Sequence, residues 1–115
     1  MRYLMLICTD ERAMAAVGPE ERDATTEEYM AFGAAMTERG VLEGGERLRP
    51  TSDATTVHVR DGEVLTADGP FAETKEQIGG YYVVDAADLD EAVEIAAKIP
   101  AARAGSVEVR PIWDM

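Results

Sequence analysis

The segment Asp68–Glu76 brings acidic, basic and aromatic side chains together in one short stretch of chain. An Asp-Gly-Pro turn opens it, and Gly79-Gly80 follows at the start of a strongly β-prone strand. Loops that are held by rigid strands often carry binding or catalytic residues. The segment therefore predicts a small-molecule-binding or acid/base site, although the same charges also fit a solvated hairpin loop.

Asp68 is the candidate catalytic residue of this loop. The Gly-Pro turn after it fixes its backbone, and the apolar ring of Phe71 favours the protonated form of a nearby carboxyl group, which proton transfer requires. The structural alternative is an Asx turn, in which the Asp68 carboxylate only holds the loop.

Glu73 and Lys75 are ligand-binding candidates in the same loop. They are two residues apart in an extended segment, so their side chains point the same way and can pair with each other or with a ligand carboxylate. A surface ion pair worth under about 1 kcal/mol is the alternative. We expect Asp68 to line a cleft with Glu73 or Lys75 within about 6 Å, the range over which charges interact appreciably.

Other strands supply further ligand-binding candidates. The phenols of Tyr81 and Tyr82 are suited to a pocket, although tyrosines at strand spacing are more often part of the core. Asp10 and Glu46 lie near the ends of the first two strands, which can meet the Asp68 loop in a split βαβ fold. The spacing of these acids matches no regular metal loop, so the sequence predicts no metal site and no cofactor.

The chain has one histidine, His58, and one cysteine, Cys8. His58 alternates with Val57 and Val59, which is typical of a solvent-facing strand residue. Cys8 lies in an apolar strand, where a small buried hydrophobe is the expected role. An internal disulfide and a cysteine-based zinc site are both excluded.

Periodic segments and turn residues predict the order of the elements. Asp61-Gly62 indicates a two-residue hairpin turn, the sequence Thr25-Thr26-Glu27-Glu28 is typical of a capping box, and Gly40 is a helix stop. The predicted strands are Arg2–Cys8, Val41–Leu48 with a possible bulge at Gly44-Gly45, Thr55–Arg60, Glu63–Ala67, Gly80–Asp85 and Ser106–Ile112. The predicted helices are Thr26–Arg39, after a loop over Gly18–Asp23 that contains at most one helical turn, and a second helix from an Asp88 cap to near Pro100.

This order predicts a single α+β domain over residues 1–115, a ferredoxin-like split βαβ sandwich with an inserted β-hairpin. Each helix has one apolar stripe, so both helices are expected on one face of the sheet. The first strand is apolar on both faces and needs cover on both. We therefore expect a homodimer that buries the helix-free face of the sheet, with Tyr3, Met5 or Ile7 and one of Tyr81 and Tyr82 at or near the interface.

The net charge of −12 opposes nucleic-acid binding, which depends on positive charge. No apolar stretch approaches the ~20 residues that span a bilayer. The first strand also lacks a signal-peptide pattern, so the sequence predicts a cytoplasmic protein.

The tetrapeptide Asp68-Gly69-Pro70-Phe71 resembles the DGPF proteins of the YCII-related group. The similarity extends over most of the chain, through Met1–Ile7, Gly44–Leu48, Thr55–Val57 and Asp68–Tyr82. It implies a ferredoxin-like subunit that dimerises through its sheet, in the dimeric α/β-barrel manner. It also implies a link to sigma factors of the extracytoplasmic-function type, beside which such proteins are often encoded.

The wider group has a proposed histidine/aspartate pair, at the start of helix one and in an Asp-Pro step after helix two. This chain has Thr25-Thr26-Glu27-Glu28 and Ile99-Pro100 at those places, so the pair is absent. Two hypotheses remain. The protein binds or transforms a small molecule near Asp68, or it is a non-catalytic regulatory partner linked to such sigma factors.

Overall fold

The computed structural model of the chain describes residues 1–114 and contains a four-stranded antiparallel sheet, a separate two-stranded hairpin and four helices. The strands are β1 (Arg2–Thr9), β2 (Leu42–Arg47), β3 (Thr55–Arg60), β4 (Glu63–Asp68), β5 (Gln77–Asp85) and β6 (Ser106–Pro111). The helices are α1 (Glu11–Ala15), α2 (Pro19–Glu38), α3 (Leu89–Ala97) and α4 (Ala101–Ala104), and a 3-10 turn spans Thr51–Asp53.

The strand order of the main sheet is β2-β5-β1-β6, with every neighbouring pair antiparallel. This order is compatible with the predicted ferredoxin-like arrangement, and the α+β class is confirmed. The hairpin β3-β4 is inserted between β2 and β5, as predicted. Its turn at Asp61 and Gly62 has φ values of 52° and 76°, which is the geometry that an Asp-Gly hairpin turn requires.

The start of α2 differs from the sequence prediction. The helix begins at Pro19 instead of Thr26, so the loop predicted over Gly18–Asp23 and the capping box are both wrong. Pro19 suits a first helical position because it needs no N–H partner there. The hydroxyl of Thr25 donates to a carbonyl one turn earlier at 2.9 Å, a bond that threonine makes inside helices. The predicted end is confirmed by Gly40, at φ 75°.

The core lies between the main sheet and the helices. Tyr3, Met5 and Ile7 of β1 are buried there. The expectation that these residues lie on the helix-free face is therefore wrong. Strand alternation allows either set of side chains to face the helices, and the sequence does not say which. Their main partners in the core are Phe32 and Met36 of α2, Val84 of β5, and Ile95 and Ile99 at and after α3.

The other side of the main sheet, called here the open face, carries the second apolar set of β1. The register pairs Leu4 with Val83 and Leu6 with Tyr81, so these four side chains share that side. Each is partly exposed, and none belongs to the core under the helices. Ile78, paired with Cys8, extends the same apolar surface and is 47% exposed.

Strand β2 approaches β5 closely at one glycine. A Cβ on Gly45 would lie 2.6 Å from Cδ1 of Tyr82 and 2.7 Å from the carbonyl oxygen of Tyr81. The neighbouring Gly44 has no such contact within 4 Å. The register irregularity of β2 lies between Leu42 and Gly44, one step before the bulge predicted at Gly44-Gly45.

We expect Gly45→Ala to lower the free energy of unfolding by about 1–3 kcal/mol, because the backbone oxygen of Tyr81 cannot move away without disturbing the sheet. Gly44→Ala is the matched control and is expected to change stability by less than about 0.5 kcal/mol. Urea unfolding measures both. Equal effects of the two substitutions would contradict the close approach at Gly45.

Candidate functional site

Asp68 is the last residue of β4 and is exposed. Its loop is held by backbone groups: the Gly69 N–H donates to the Ala54 carbonyl at 2.8 Å, and the Thr56 hydroxyl donates to the Gly69 carbonyl at 2.8 Å. An Asx turn would need an N–H two residues on, and Pro70 has none. The Asp68 carboxylate is therefore free to face solvent or a ligand.

The rest of the loop is also exposed. Glu73 and Lys75 are solvent-facing, and Phe71 is 85% exposed. The Phe71 ring meets His58 edge-on, with ring centroids 6.5 Å apart. That contact joins the one histidine of the chain to the Asp68 loop, which the sequence did not predict.

Asp10 acts as a helix cap. Its carboxylate accepts from the backbone N–H groups of Arg12 at 2.9 Å and Ala13 at 3.3 Å, at the start of α1. The adjacent Glu11 binds the Thr51 segment: its two oxygens accept from the Thr51 N–H at 2.9 Å and the Thr51 hydroxyl at 2.8 Å. Both carboxylates therefore hold backbone in place, and the function of Glu11 was missed from the sequence.

Beside Thr51 lies a shallow surface depression of about 290 Å³. Its floor is apolar, and an Arg49–Asp53 ion pair of 2.9 Å forms part of its rim. The lining residues are Leu48, Arg49, Pro50, Thr51, Asp53, Ala54 and Ile78. Asp68, Glu73 and Lys75 do not line it.

The two adjacent tyrosines of β5 point to opposite sides of the sheet. Tyr81 lies on the open face, across from Glu46 of β2. Tyr82 lies under the helices, where its ring packs edge-on against Phe32 with centroids 5.1 Å apart. The sequence-predicted candidates thus fall in separate places: the Asp68 loop, the α1 cap at Asp10, the open face and the helix side.

A different group of side chains converges on the helix side of the sheet, where α2 meets α4. We call Tyr29, Tyr82, Arg47 and Arg103 the tyrosine–arginine cluster. Burial raises the pKa of the Tyr29 hydroxyl and the nearby Tyr82 raises it further, whereas a hydrogen bond from the Ala101 backbone and the charges of Arg103 and Arg47 lower it. Strand register places Arg47 on the same side of the sheet as Tyr82, and the ion pair between Arg103 and Glu28 places Arg103 next to Tyr29 on α2.

The cluster has the chemistry of an anion-recognition site. Burial also raises the pKa of Tyr82, so both phenols are protonated at neutral pH and can donate hydrogen bonds. Guanidinium groups bind carboxylates or phosphates through paired N–H donors. On α2, Gly33 leaves open space, since a Cβ there would meet nothing within 4 Å. The arginines come from distant parts of the chain, which explains why sequence spacing did not reveal the cluster.

Residues 1–114 contain neither a metal-binding cluster nor a membrane-spanning helix. In that part of the chain, no group of three His, Cys, Asp or Glu side chains is arranged to hold a metal ion. None of its helices combines the length and the apolar character needed to cross a membrane.

The sequence of this chain is similar to a known domain family and to a protein of known sequence. The model of the YCII-related domain family matches residues 1–115. An uncharacterised protein of Rhizobium meliloti (strain 1021) is 40% identical over 114 residues, which cover 97% of this chain and 92% of the relative.

We expect the hydroxyls of Tyr29 and Tyr82 to ionise above the ordinary tyrosine pKa of about 10. Because the folded state then holds these protons more tightly than the unfolded state, the free energy of unfolding falls as the pH rises above that value. Alkaline titration followed by phenolate absorbance measures the ionisation. Tyr29→Phe and Tyr82→Phe should each remove a late-titrating component. A titration curve that neither substitution changes above pH ~10 would contradict the assignment.

Proposed function

This chain belongs to the YCII-related domain family, and on that basis we propose that it is a cytoplasmic homodimer that binds a small organic anion at the tyrosine–arginine cluster. The Asp68–Phe71 tetrapeptide supports its placement among the DGPF members of the family. The arrangement that carries the proposal is geometric: Arg47 lies on the same side of β2 as Gly45, which is paired with Tyr82, and Arg103 forms an ion pair with Glu28, the neighbour of Tyr29 on α2.

The segments Thr25–Glu28 and Ile99–Pro100, which lack the group's proposed histidine/aspartate pair, lie next to the cluster, although Thr25–Glu28 falls inside α2 and not at its start. The two segments that replace the pair precede Tyr29 on α2 and Ala101 on α4. Glu28 of the first segment forms an ion pair with Arg103. The Ala101 backbone lies close enough to Tyr29 to lower the pKa of its hydroxyl. The contact between α2 and α4 therefore contains tyrosine and arginine instead of histidine, the side chain that titrates near neutral pH. This exchange favours ligand binding over histidine-based proton transfer.

The homodimer proposal rests on the open face. Leu4, Leu6, Tyr81 and Val83 form an apolar strip along its two central strands. Charged side chains lie mainly on the edge strands, and a chain with a net charge of −12 repels its own copy least through an uncharged surface. Sheet-to-sheet packing in the α/β-barrel manner would cover the strip.

The Asp68 loop is proposed as a second, solvent-facing part of the function. Asp68 has no structural duty in its turn, and Glu73 and Lys75 are exposed near it in sequence. We propose that the carboxylate of Asp68 contacts a ligand or transfers a proton, with Glu73 and Lys75 orienting the ligand.

The alternative function is a non-catalytic partner in regulation linked to extracytoplasmic-function sigma factors. Two large side chains favour an interaction role, because Phe71 is 85% exposed and Trp113 is 88% exposed. Saturable binding to a purified sigma factor of that type, weakened by Phe71→Ala, together with no response to small anions, would favour this alternative.

Ligand binding is testable by thermal shift with a panel of small aromatic and aliphatic carboxylates. A true ligand raises Tm in a concentration-dependent way, because it binds the folded state. We expect Arg47→Gln to weaken the apparent affinity about tenfold or more, since one charge-assisted hydrogen bond is lost. The matched control is Arg49→Gln, which removes an equal charge from an exposed arginine that pairs with Asp53.

The same thermal-shift titration distinguishes the role of the Asp68 loop from that of the tyrosine–arginine cluster. Asp68→Asn should leave Tm of the free protein nearly unchanged, because Gly69 and Thr56 hold the turn. A reduced ligand response in this variant supports a role for Asp68, and an unchanged response rejects it. If no carboxylate raises Tm, or if Arg47→Gln and Arg49→Gln behave alike, the anion site is rejected.

The dimer is testable by sedimentation equilibrium. We expect the wild-type protein to sediment at twice the chain mass of 12.5 kDa at micromolar concentration. Leu6→Glu places a charge in the middle of the open face and should produce a monomer. The matched control is Val93→Glu on α3, which is 52% exposed and lies outside the open face. A wild-type protein that is monomeric throughout would overturn the dimer proposal.

A further inference from the structure

The β3-β4 hairpin, called here the arm (residues Thr55–Asp68), stands apart from the main sheet. It forms a two-stranded sheet of its own. The Cα radius of gyration is 16.0 Å, whereas a compact domain of this length has about 13 Å. An isolated two-stranded hairpin is marginally stable in water and normally needs a surface to pack against.

One side of the arm is apolar and exposed. Register pairs Val59 with Val64 and Val57 with Thr66, so the three valines share a side, called here the valine face. Their side chains are 57%, 58% and 66% exposed for Val57, Val59 and Val64. Asp68, at the base of the arm, supplies the one charge on this side.

The other side of the arm is different in character. It carries His58, Arg60, Glu63 and Leu65, and His58 contacts Phe71 of the same chain. Only the valine face therefore combines β-branched apolar side chains with a lack of contacts to the core. Such a strand surface is adapted to packing rather than to solvent.

We propose that the valine face packs against a second copy of this chain, so that each arm reaches across the homodimer. The proposal rests on the dimer proposed above and extends its contact from the open face to the arm. The two surfaces approach each other, since Ile78 lies on the open face and also lines the depression that contains Ala54, the residue before the arm. Thr55 and Asp68 lie between this depression and the valines. Leu48 in the same depression is 45% exposed.

Charge favours a second copy over a foreign partner. Of the 23 acidic residues, nine lie on α2 and α3 and three lie on the arm, so a basic partner would be drawn to the helices before the arm. No charged side chain lies on the valine face between the hairpin turn and Asp68. Such a surface can pack against a second, equally acidic copy without direct charge repulsion. A contact of one patch with its symmetry mate is also the usual arrangement in a two-fold dimer.

The triple substitution Val57→Thr, Val59→Thr and Val64→Thr tests the arm. Threonine keeps the branched shape and the strand preference of valine while adding a hydroxyl, so the hairpin itself is preserved. We expect the dimer dissociation constant, measured by sedimentation equilibrium, to rise about tenfold or more. Leu65→Thr, on the opposite side of the arm, is the control and should leave the dimer dissociation constant nearly unchanged.

Hydrogen exchange on the wild-type protein gives a second measurement that needs no variant. Arm amides should be protected at concentrations where the dimer is populated and should exchange rapidly after dilution to monomer. If the wild type is a dimer that the triple substitution does not weaken, or if arm protection is independent of concentration, the arm proposal is overturned and the open-face dimer stands. If the wild type is monomeric, both proposals are overturned.

Discussion

The central strand β1 is apolar on both sides, and the rest of the structure depends on how its two sets of side chains are covered. Tyr3, Met5 and Ile7 meet the helices and form the middle of the core, where Met5 is fully buried. Leu4 and Leu6 point the other way and remain partly exposed. A subunit with helices on one face of its sheet can cover only one of the two apolar sets of side chains of this strand. The open face is thus a direct consequence of β1.

The same core positions the tyrosine–arginine cluster. Tyr82 can turn its ring under α2 because Gly45 on the neighbouring strand leaves space for it, and Phe32 fixes the ring from the helix side. Tyr29 lies one helical turn before Phe32, so the packing that holds the core also sets the Tyr29 hydroxyl beside α4. A rigid apolar base of this kind keeps the polar ends of tyrosine and arginine in fixed positions, which reduces the entropy lost when a ligand binds.

The sequence predicted the features that short-range chemistry determines. The Asp61-Gly62 turn, the Gly40 helix stop and the Asp88 cap depend on backbone conformations or hydrogen bonds that particular residues favour. It could not predict which side of β1 faces the helices, because a period of two describes both sides equally. The early start of α2 was missed because Thr25 and Thr26 resemble a cap, although inside a helix they bond backward to the previous turn. The tyrosine–arginine cluster depends on long-range packing between α2, α4 and β2, which no local pattern contains.

The net charge of −12 opposes the approach of an anion over long distances, whereas binding at the cluster depends on the charges close to it. At physiological ionic strength, exposed charges are largely screened beyond about 8 Å, so acids on the far sides of the helices act weakly at the cluster. Arg47 and Arg103 are exposed, but they lie on the rim of the cluster beside two partly buried phenols, so their charges act there from nearby. Glu28 holds Arg103 in position through an ion pair, and it is the acid that a bound anion has to compete with directly. The overall acidity therefore lowers the rate at which anions approach, whereas the local arrangement of guanidinium and phenol donors determines whether they stay.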